Sequence, residues 1–415
     1  MAFQTVRGMR DFLPEQAKKK QAIEDLIRNC FEKYGFEPLQ TPIVEEFSLL
    51  SAKGSGGEAV KEEIYYFKDK SERELGLRFD LTVPLARICA SNPQLAKPFK
   101  RYSIGQVYRY DRPGASRYRE FTQADVDIVG SDSMLAEAEL IALMSEVLQK
   151  LGIEFFVKIS SRKLLEEMVS SAGIPKEKAV DCFRSIDKLD KIGWGGVEKE
   201  LKEKKINAGK LVEVLKQNDL KKVEGFLKNK KPIEELNELI ALLKKIGLEK
   251  EVRLDLCLAR GLEYYTGTVF EAVAKNGPSI AGGGRYDKLV ELYGGRPSPA
   301  VGFSFGVDRL LDLAQEKVKP EQRTRIFIAA IGEKAEVEAL ALAQKIRAIG
   351  IGAEIDLMRR SVSKNLEYLN KKGIPFAVVL GENELKEKAF KLKEMKSGKE
   401  TRLKFGEVEK LRQLV

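Results

Sequence analysis

The stretch that most restricts how this chain can fold is residues 99–130, FKRYSIGQVYRYDRPGASRYREFTQADVDIVG. Alternating runs at 103–110 and 121–129 flank a turn region with Pro113, Gly114 and Ser116, the pattern of a long-looped antiparallel hairpin. In the second run Gln123, Asp125 and Asp127 alternate with Ala124, Val126 and Ile128. Successive strand side chains point to opposite faces, so three polar groups share one face and three apolar groups the other. Arg109 belongs to the first run, and the turn adds Arg112, Arg117 and Arg119. An acidic row beside clustered arginines suits a ligand carrying both an ammonium group and phosphates. A solvated hairpin laced with surface ion pairs is the competing account.

A length of 415 residues predicts two to three domains and a core that needs no covalent staples. No apolar run approaches the ~18 residues of a membrane span, and the start, MAFQTVRGMRDFLPEQ, lacks the apolar segment of a signal peptide. A cytoplasmic protein without membrane contact is the expectation. Cys30, Cys89, Cys182 and Cys257 lie far apart in no zinc or redox spacing, which favours buried reduced thiols. A net charge of +10, from 73 Lys+Arg against 63 Asp+Glu, favours a polyanionic partner without identifying it. The chain contains no histidine. That removes Ser–His catalysis, histidine metal sites and a histidine general base together, so chemistry here must run on carboxylates, arginines, tyrosines, backbone groups or a bound metal ion.

Along the chain, Ile23, Leu26, Ile27, Cys30 and Tyr34 fall at helical spacing after Pro14, which predicts a core-facing helix over 14–34. Pro38 and Pro42 then hold 35–45 extended. Gly54, Gly56 and Gly57 do not follow a strand in the P-loop pattern and predict a surface loop. Asp80 and Thr82 stand among apolar neighbours in 75–87, where the acid can cap the helix that Pro84 helps start. From 162 to 250 the composition shifts to Lys, Glu and Leu, predicting a separate helical insertion whose lysines mostly form a solvated face. Beyond a boundary near 318–323, strands at 325–331, 353–357 and 375–381 alternate with helices, predicting a small α/β domain with a largely parallel sheet. No GxGxxG turn follows a strand, which argues against a dinucleotide-dependent oxidoreductase.

Two further segments carry unusual residues between apolar runs: LARGLEYYTGTVFE at 258–271, with Arg260, Tyr264 and Tyr265, and AGGGRYDKL at 281–289, with Tyr286. On residue types alone these are a strand, a glycine-rich bend and core tyrosines. They resemble the two signature segments of the histidyl-tRNA synthetase family, with Glu263 where that pattern has Asp. Residues 99–130 are similar to motif 2 of the class II aminoacyl-tRNA synthetases, 35–45 to motif 1, and AVGFSFGVDRLL at 300–311, with Arg309, to motif 3. The segments follow family order across essentially the whole chain.

The resemblance implies a class II α+β catalytic domain on an antiparallel sheet over 1–322, a helical insertion over 162–250 within it, and a C-terminal α/β anticodon-binding domain over 323–415. It implies activation of histidine with ATP and transfer to tRNA(His), with Mg2+ on the phosphates, no assigned protein ligand for the metal, and a homodimer. Asp80, Thr82 and Gln123 would hold the α-ammonium group. Asp127 and Tyr265 would address the imidazole nitrogens, with Tyr264 and Tyr286 lining the same pocket. Arg109 and Arg260 would meet the α-phosphate, with Gln123 counted beside them in catalysis, Phe121 would stack on adenine, and Arg309 would cover its other face or the outer phosphate. Arg112, Arg117 and Arg119 would touch the acceptor end of tRNA. A pocket that pairs both imidazole nitrogens rejects apolar amino acids by roughly 10⁴–10⁵ without editing, so no editing domain is expected. The rival reading within the family is a histidine-sensing regulatory paralogue, which tends to lose these arginines and the anticodon-type domain. The missing histidine permits synthesis of the chain during histidine scarcity; lineage composition explains it equally well.

Overall fold

The computed structural model describes residues 3–52, 62–112, 114, 117–258, 265–275 and 277–415. Chain contacts divide it into two compact units, Met1–Lys319 and Pro320–Val415. The loop expectation at Gly54, Gly56 and Gly57 lies outside the described residues.

The first unit is built on an eight-stranded sheet. Its strands are β1 (Glu37–Pro38), β5 (Phe99–Tyr108), β6 (Glu120–Val129), β7 (Phe155–Ser161), β8 (Val252–Leu254), β9 (Thr268–Ala274), β10 (Ser279–Arg285) and β11 (Ala300–Gly306), in spatial order β1-β5-β6-β11-β10-β9-β7-β8. The inner six pair antiparallel, while β1 on β5 and β8 on β7 are parallel, so the sheet is mixed at both ends. A separate three-stranded sheet joins β2 (Val44–Glu46), β3 (Tyr66–Lys68) and β4 (Glu74–Leu77).

The alternation in β6 sorts the two faces of the large sheet. Ala124, Val126 and Ile128 are buried with Phe303 and Phe305 of β11 and Phe270 of β9 in the main core. Helices Pro14–Lys33, Met134–Lys150 and Val307–Ala314 supply the other side of that core through Ile27, Leu140, Ile141 and Leu310. Each such side chain withdrawn from water is worth about 1.5–3 kcal/mol, which fixes the strand register firmly. The opposite face carries the polar row and is only partly covered, by the helix Thr82–Ser91 and the short helix Leu289–Leu292.

Residues 162–250 form six helices, as their composition predicts, from Arg162–Ser171 through Lys231–Lys245. Their apolar faces are continuous with the main core, where Leu164, Phe183, Leu236 and Leu239 share one buried cluster with β6. All four cysteines are free thiols; Cys30 and Cys182 are buried but Cys89 and Cys257 only partly so. No helix among the described residues is long and apolar enough to cross a membrane.

The second unit holds β12 (Thr324–Ala330), β13 (Gly352–Ile355), β14 (Phe376–Leu380), β15 (Ala389–Glu394) and β16 (Glu400–Lys404), ordered β13-β12-β14-β15-β16. The first three are parallel, as expected, but β15 and β16 add an antiparallel edge, so the sheet is mixed rather than largely parallel. These two strands interleave lysines and glutamates with Phe390, Leu392 and Leu403, a pattern in which the charges mask the period-two burial.

Candidate functional site

A cavity of about 690 Å³ opens on the polar face of the large sheet. Asp80, Thr82, Arg109, Arg117, Phe121 and Gln123 stand on its wall, together with Tyr265 and Arg309. Arg260 and Tyr264 lie outside the described residues. Same-face residues along a strand are about 7 Å apart. Phe121, Gln123 and Asp125 therefore set out three stations along β6 over about 13 Å.

At the first station Arg109 continues the β5–β6 ladder, its backbone N–H donating to Arg119 O at 2.9 Å. Its side chain donates to Phe79 O at 3.0 Å, which holds the guanidinium 5.2 Å from the centre of the Phe121 ring. Arg309, on the first turn of the helix Val307–Ala314, donates to Ser279 O at 3.0 Å and faces the same space. An aromatic ring beside one guanidinium, with a second guanidinium on the wall of the same cavity, is chemistry for a flat base and its phosphates.

At the middle station Gln123 donates to Ser304 of β11 at 2.9 Å. Asp80 accepts from the Val83 N–H at 3.0 Å, capping the helix Thr82–Ser91 as the sequence suggests, and it lines the cavity as well. The capping and ligand-facing roles are thus compatible in one carboxylate. Gly282 of β10 keeps the floor low, with nothing within 4 Å of an added Cβ, whereas Gly283 turns to the core face, where any Cβ would meet backbone and Phe303 of β11.

Asp127 is placed differently from the sequence expectation. It does not line the cavity but sits one rung deeper, paired with Arg101 of β5 at 2.6 Å and accepting a hydrogen bond from the Tyr286 hydroxyl. Arg101 is 0% exposed, and its guanidinium also donates to Leu81 O at 3.1 Å. Tyr286 is likewise buried beneath the site rather than on its wall. The physical reason is the buried cation: Arg101 cannot remain unpaired in the sheet, and Asp127 on the adjacent strand is directly opposite it.

The three arginines expected at the turn separate. Arg117 reaches the cavity mouth and pairs with Asp111 at 3.0 Å. Arg112 is exposed to solvent away from the wall. Arg119 packs 4.0 Å over the Tyr110 ring and donates to Asp111 O at 3.0 Å, so its head group is committed within the turn.

Several residues escaped the sequence reading. Arg10 stacks 3.9 Å over Tyr118, donates to its hydroxyl at 2.7 Å and pairs with Asp308 at 2.9 Å. Asp308 in turn accepts from Thr122 N at 2.7 Å. The N-terminal segment thereby ties the turn of the hairpin to the head of the helix Val307–Ala314, a long-range link that no local spacing signals. Asp125 is visible in the alternation of β6, but alternation alone assigns it no role. In the structure it is 2% exposed and on the cavity wall. Burial, opposed by Arg101 and reinforced by the neighbouring Asp127, pushes its carboxyl up to about 7.

Comparison with known proteins agrees with this geometry. The family model for histidyl-tRNA synthetase matches residues 8–310, and that for an anticodon binding domain matches 325–413. The chain is 36% identical over 418 residues to histidine–tRNA ligase 2 of Shouchella clausii, covering 97% of this chain and 98% of the relative. It is 37% identical over 422 residues to histidine–tRNA ligase of Pyrococcus furiosus, covering 97% of both. The crystal structure of histidyl-tRNA synthetase from Nostoc sp. PCC 7120 superposes with a TM-score of 0.85 at 29% identity, covering 100% of both chains. With a class II sheet, a polar-face cavity and near full-length similarity in agreement, the chain belongs to the histidyl-tRNA synthetase family.

Proposed function

We infer that this chain is an aminoacyl-tRNA ligase that joins histidine to ATP, forming histidyl-adenylate and pyrophosphate, and then transfers histidine to the 3′ end of tRNA(His). The observation that carries the reading is one cavity with an aromatic ring beside Arg109 at one end and acids, an amide and Tyr265 at the other.

The first step is attack by the histidine carboxylate on the α-phosphorus of ATP, with pyrophosphate leaving. An α-carboxyl group has a pKa of about 3.5 and is ionised near neutrality, so no general base is needed. The work of the protein is alignment and positive charge where it builds on phosphoryl oxygens. Arg109 supplies that charge at the α-phosphate, joined by Arg260, while Phe121 stacks on adenine and Arg309 covers the outer phosphates. Asp80, Thr82 and Gln123 orient the amino acid through its ammonium group, and Tyr265 reads the imidazole. Asp127, Tyr286 and Arg101 support that pocket from below.

Magnesium fits as the counter-ion of the triphosphate, where it offsets charge. Among the described residues no group of three His, Cys, Asp or Glu side chains is placed to hold a metal ion, and Asp308 beside the nucleotide end is already engaged by Arg10 and Thr122. In the second step the terminal ribose hydroxyl attacks the adenylate carbonyl, a phosphate oxygen of the adenylate takes the proton, and AMP leaves. Arg117 and Arg112 meet the acceptor end. The region 325–413 reads the anticodon, and the helices of 162–250 form an insertion in the catalytic unit. Ile43 and Val44 are exposed on the small sheet with Phe67. That apolar face of the small sheet supports a homodimer in which a second copy covers it. The protein works in the cytoplasm.

Arg109 and Arg309 on the wall disfavour the regulatory-paralogue reading. The test is ATP–pyrophosphate exchange with each of the twenty amino acids in turn. Exchange that depends on histidine alone is the expected result; exchange driven by another amino acid, or none, overturns the reading.

A further inference from the structure

The mechanism so far leaves one buried carboxylate on the cavity wall unused. Asp125 is 2% exposed, and its Oδ1 has no hydrogen-bond partner among the described residues. Its Oδ2 accepts from Thr82 Oγ1 at 3.5 Å, a long contact. Ser304 stands opposite it on β11, and that hydroxyl also receives the Gln123 amide at 2.9 Å. Asp125 is thus centred among the groups assigned to the ammonium. Asp127, by contrast, is committed to Arg101 and Tyr286. A buried acceptor facing a cavity without a donor costs free energy until a ligand supplies one.

The charged groups around Asp125 give the sign of that ligand. Asp80 comes from the segment before the helix Thr82–Ser91, Arg101 from β5 and Asp127 from β6, while the uncharged Ser304 hydroxyl of β11 hydrogen-bonds the carboxyl and works against the rise in its pKa, leaving Oδ1 as the unpartnered oxygen among the described residues. Among the described residues that is three carboxylates against one guanidinium. A cation restores the balance, and a zwitterionic amino acid brings one.

We propose that Asp125 is a substrate-binding residue that accepts a hydrogen bond from the α-ammonium group of histidine through Oδ1. The proposal rests on the functional reading above. Because burial and Asp127 raise the Asp125 carboxyl to about 7, the free site holds a proton at lower pH that the ammonium must displace. Ammonium-bearing ligands then bind more weakly as pH falls below 7, and ligands without the ammonium do not share that loss.

The test compares two competitive inhibitors of histidine-dependent pyrophosphate exchange: histidinol, which keeps the ammonium, and imidazolepropionate, which lacks it. The ammonium of histidinol lowers its imidazole pKa and the carboxylate of imidazolepropionate raises its own, so each Ki is first corrected for that inhibitor's separately measured imidazole titration. In the unaltered protein the ratio of Ki for histidinol to Ki for imidazolepropionate should rise toward tenfold per unit below pH 7. In Asp125→Asn at pH 8 the KM for histidine and Ki for histidinol should rise together by about 10- to 100-fold, the range for a hydrogen bond to a charged group. Imidazolepropionate should be unaffected, and the pH dependence of the ratio should vanish. A flat ratio in the unaltered protein, or an equal loss for both inhibitors in Asp125→Asn, overturns the proposal; if the variant does not fold, the first arm decides. Absence of histidine-dependent exchange in the unaltered protein would instead overturn the functional reading itself.

Discussion

Substituting Gly302→Ala tests whether the buried Arg101–Asp127–Tyr286 cluster sets the shape of the histidine pocket. Gly302 of β11 lies directly across from Asp127 of β6. A Cβ built there falls within 2.5 Å of Asp127 Cγ and 2.7 Å of Val126 O, closer than any real Cβ contact. The carboxylate cannot simply swing aside, because Arg101 holds one oxygen at 2.6 Å and the Tyr286 hydroxyl holds the other. Nor can the strand retreat, since Val126 and Phe303 are locked in the main core. Deleting one partner of a buried ion pair costs about 3–5 kcal/mol, and overpacking a well-packed site about 1–3 kcal/mol. Here the pair is displaced rather than deleted, which places the cost at about 2–3 kcal/mol.

A domain of this size loses about 2 °C in Tm per kcal/mol, so the transition should fall by about 4–6 °C. The same displacement moves Tyr286 and the pocket floor, so KM for histidine should rise while KM for ATP holds. Gly282→Ala is the stability control, because nothing lies within 4 Å of its added Cβ; its Tm should stay within about 1 °C, matching a change below ~0.5 kcal/mol. Differential scanning calorimetry and pyrophosphate exchange measure both quantities. Equal transitions for Gly302→Ala and the unaltered protein, with unchanged KM for histidine, would refute the argument that Asp127 is held rigidly under the pocket.

Phe121→Ala should raise KM for ATP about 5- to 150-fold in pyrophosphate exchange, as expected for loss of a base-stacking ring worth ~1–3 kcal/mol, with KM for histidine little changed. Glu137 and Arg285 form a buried bidentate pair at 2.6 and 2.7 Å, so Glu137→Ala should lower unfolding free energy by about 3–5 kcal/mol in urea titration. Arg117→Gln and Arg112→Gln should weaken tRNA binding, each reducing the slope of log K against log salt by about 0.7–0.9; filter binding at several salt concentrations decides, and an unchanged slope removes that residue from the acceptor contact.

How far the site is legible in the sequence depends on the range of the forces involved. The β6 alternation announces a polar face because period two is local, and Gln123 and Phe121 duly reach the cavity. Asp80 is legible as a cap for the same reason. What local pattern cannot supply is depth. Nothing in QADVDIVG distinguishes Asp125 from Asp127, yet Arg101, over twenty residues away on β5, claims Asp127 and leaves Asp125 facing the cavity. Arg10 and Asp308 are invisible for a similar reason, since their partnership spans 298 residues. In the second unit, β15 and β16 hide behind their alternating charges, because one face of this antiparallel end of the sheet stays solvated while the other is buried.

The order of groups along β6 also explains why a chain without histidine loses nothing chemically. Adenylation needs a nucleophile that is already ionised, and the α-carboxylate is one. The hazard is misplacement: a carboxylate carried into a cavity with Asp80 and Asp125 on its wall is repelled by both unless its own ammonium group lies between. Seating the ammonium at Asp125 therefore turns the carboxylate away from the acids and along the strand, toward Phe121 about 13 Å distant, where Arg109 and Arg309 attract it. The same electrostatic gradient that binds the zwitterion orients it for attack. Reversing the gradient at one end, as in Arg109→Glu, should abolish pyrophosphate exchange while leaving imidazolepropionate binding within a few-fold, a separation of chemistry from imidazole recognition that uniform loss of both ligands would contradict.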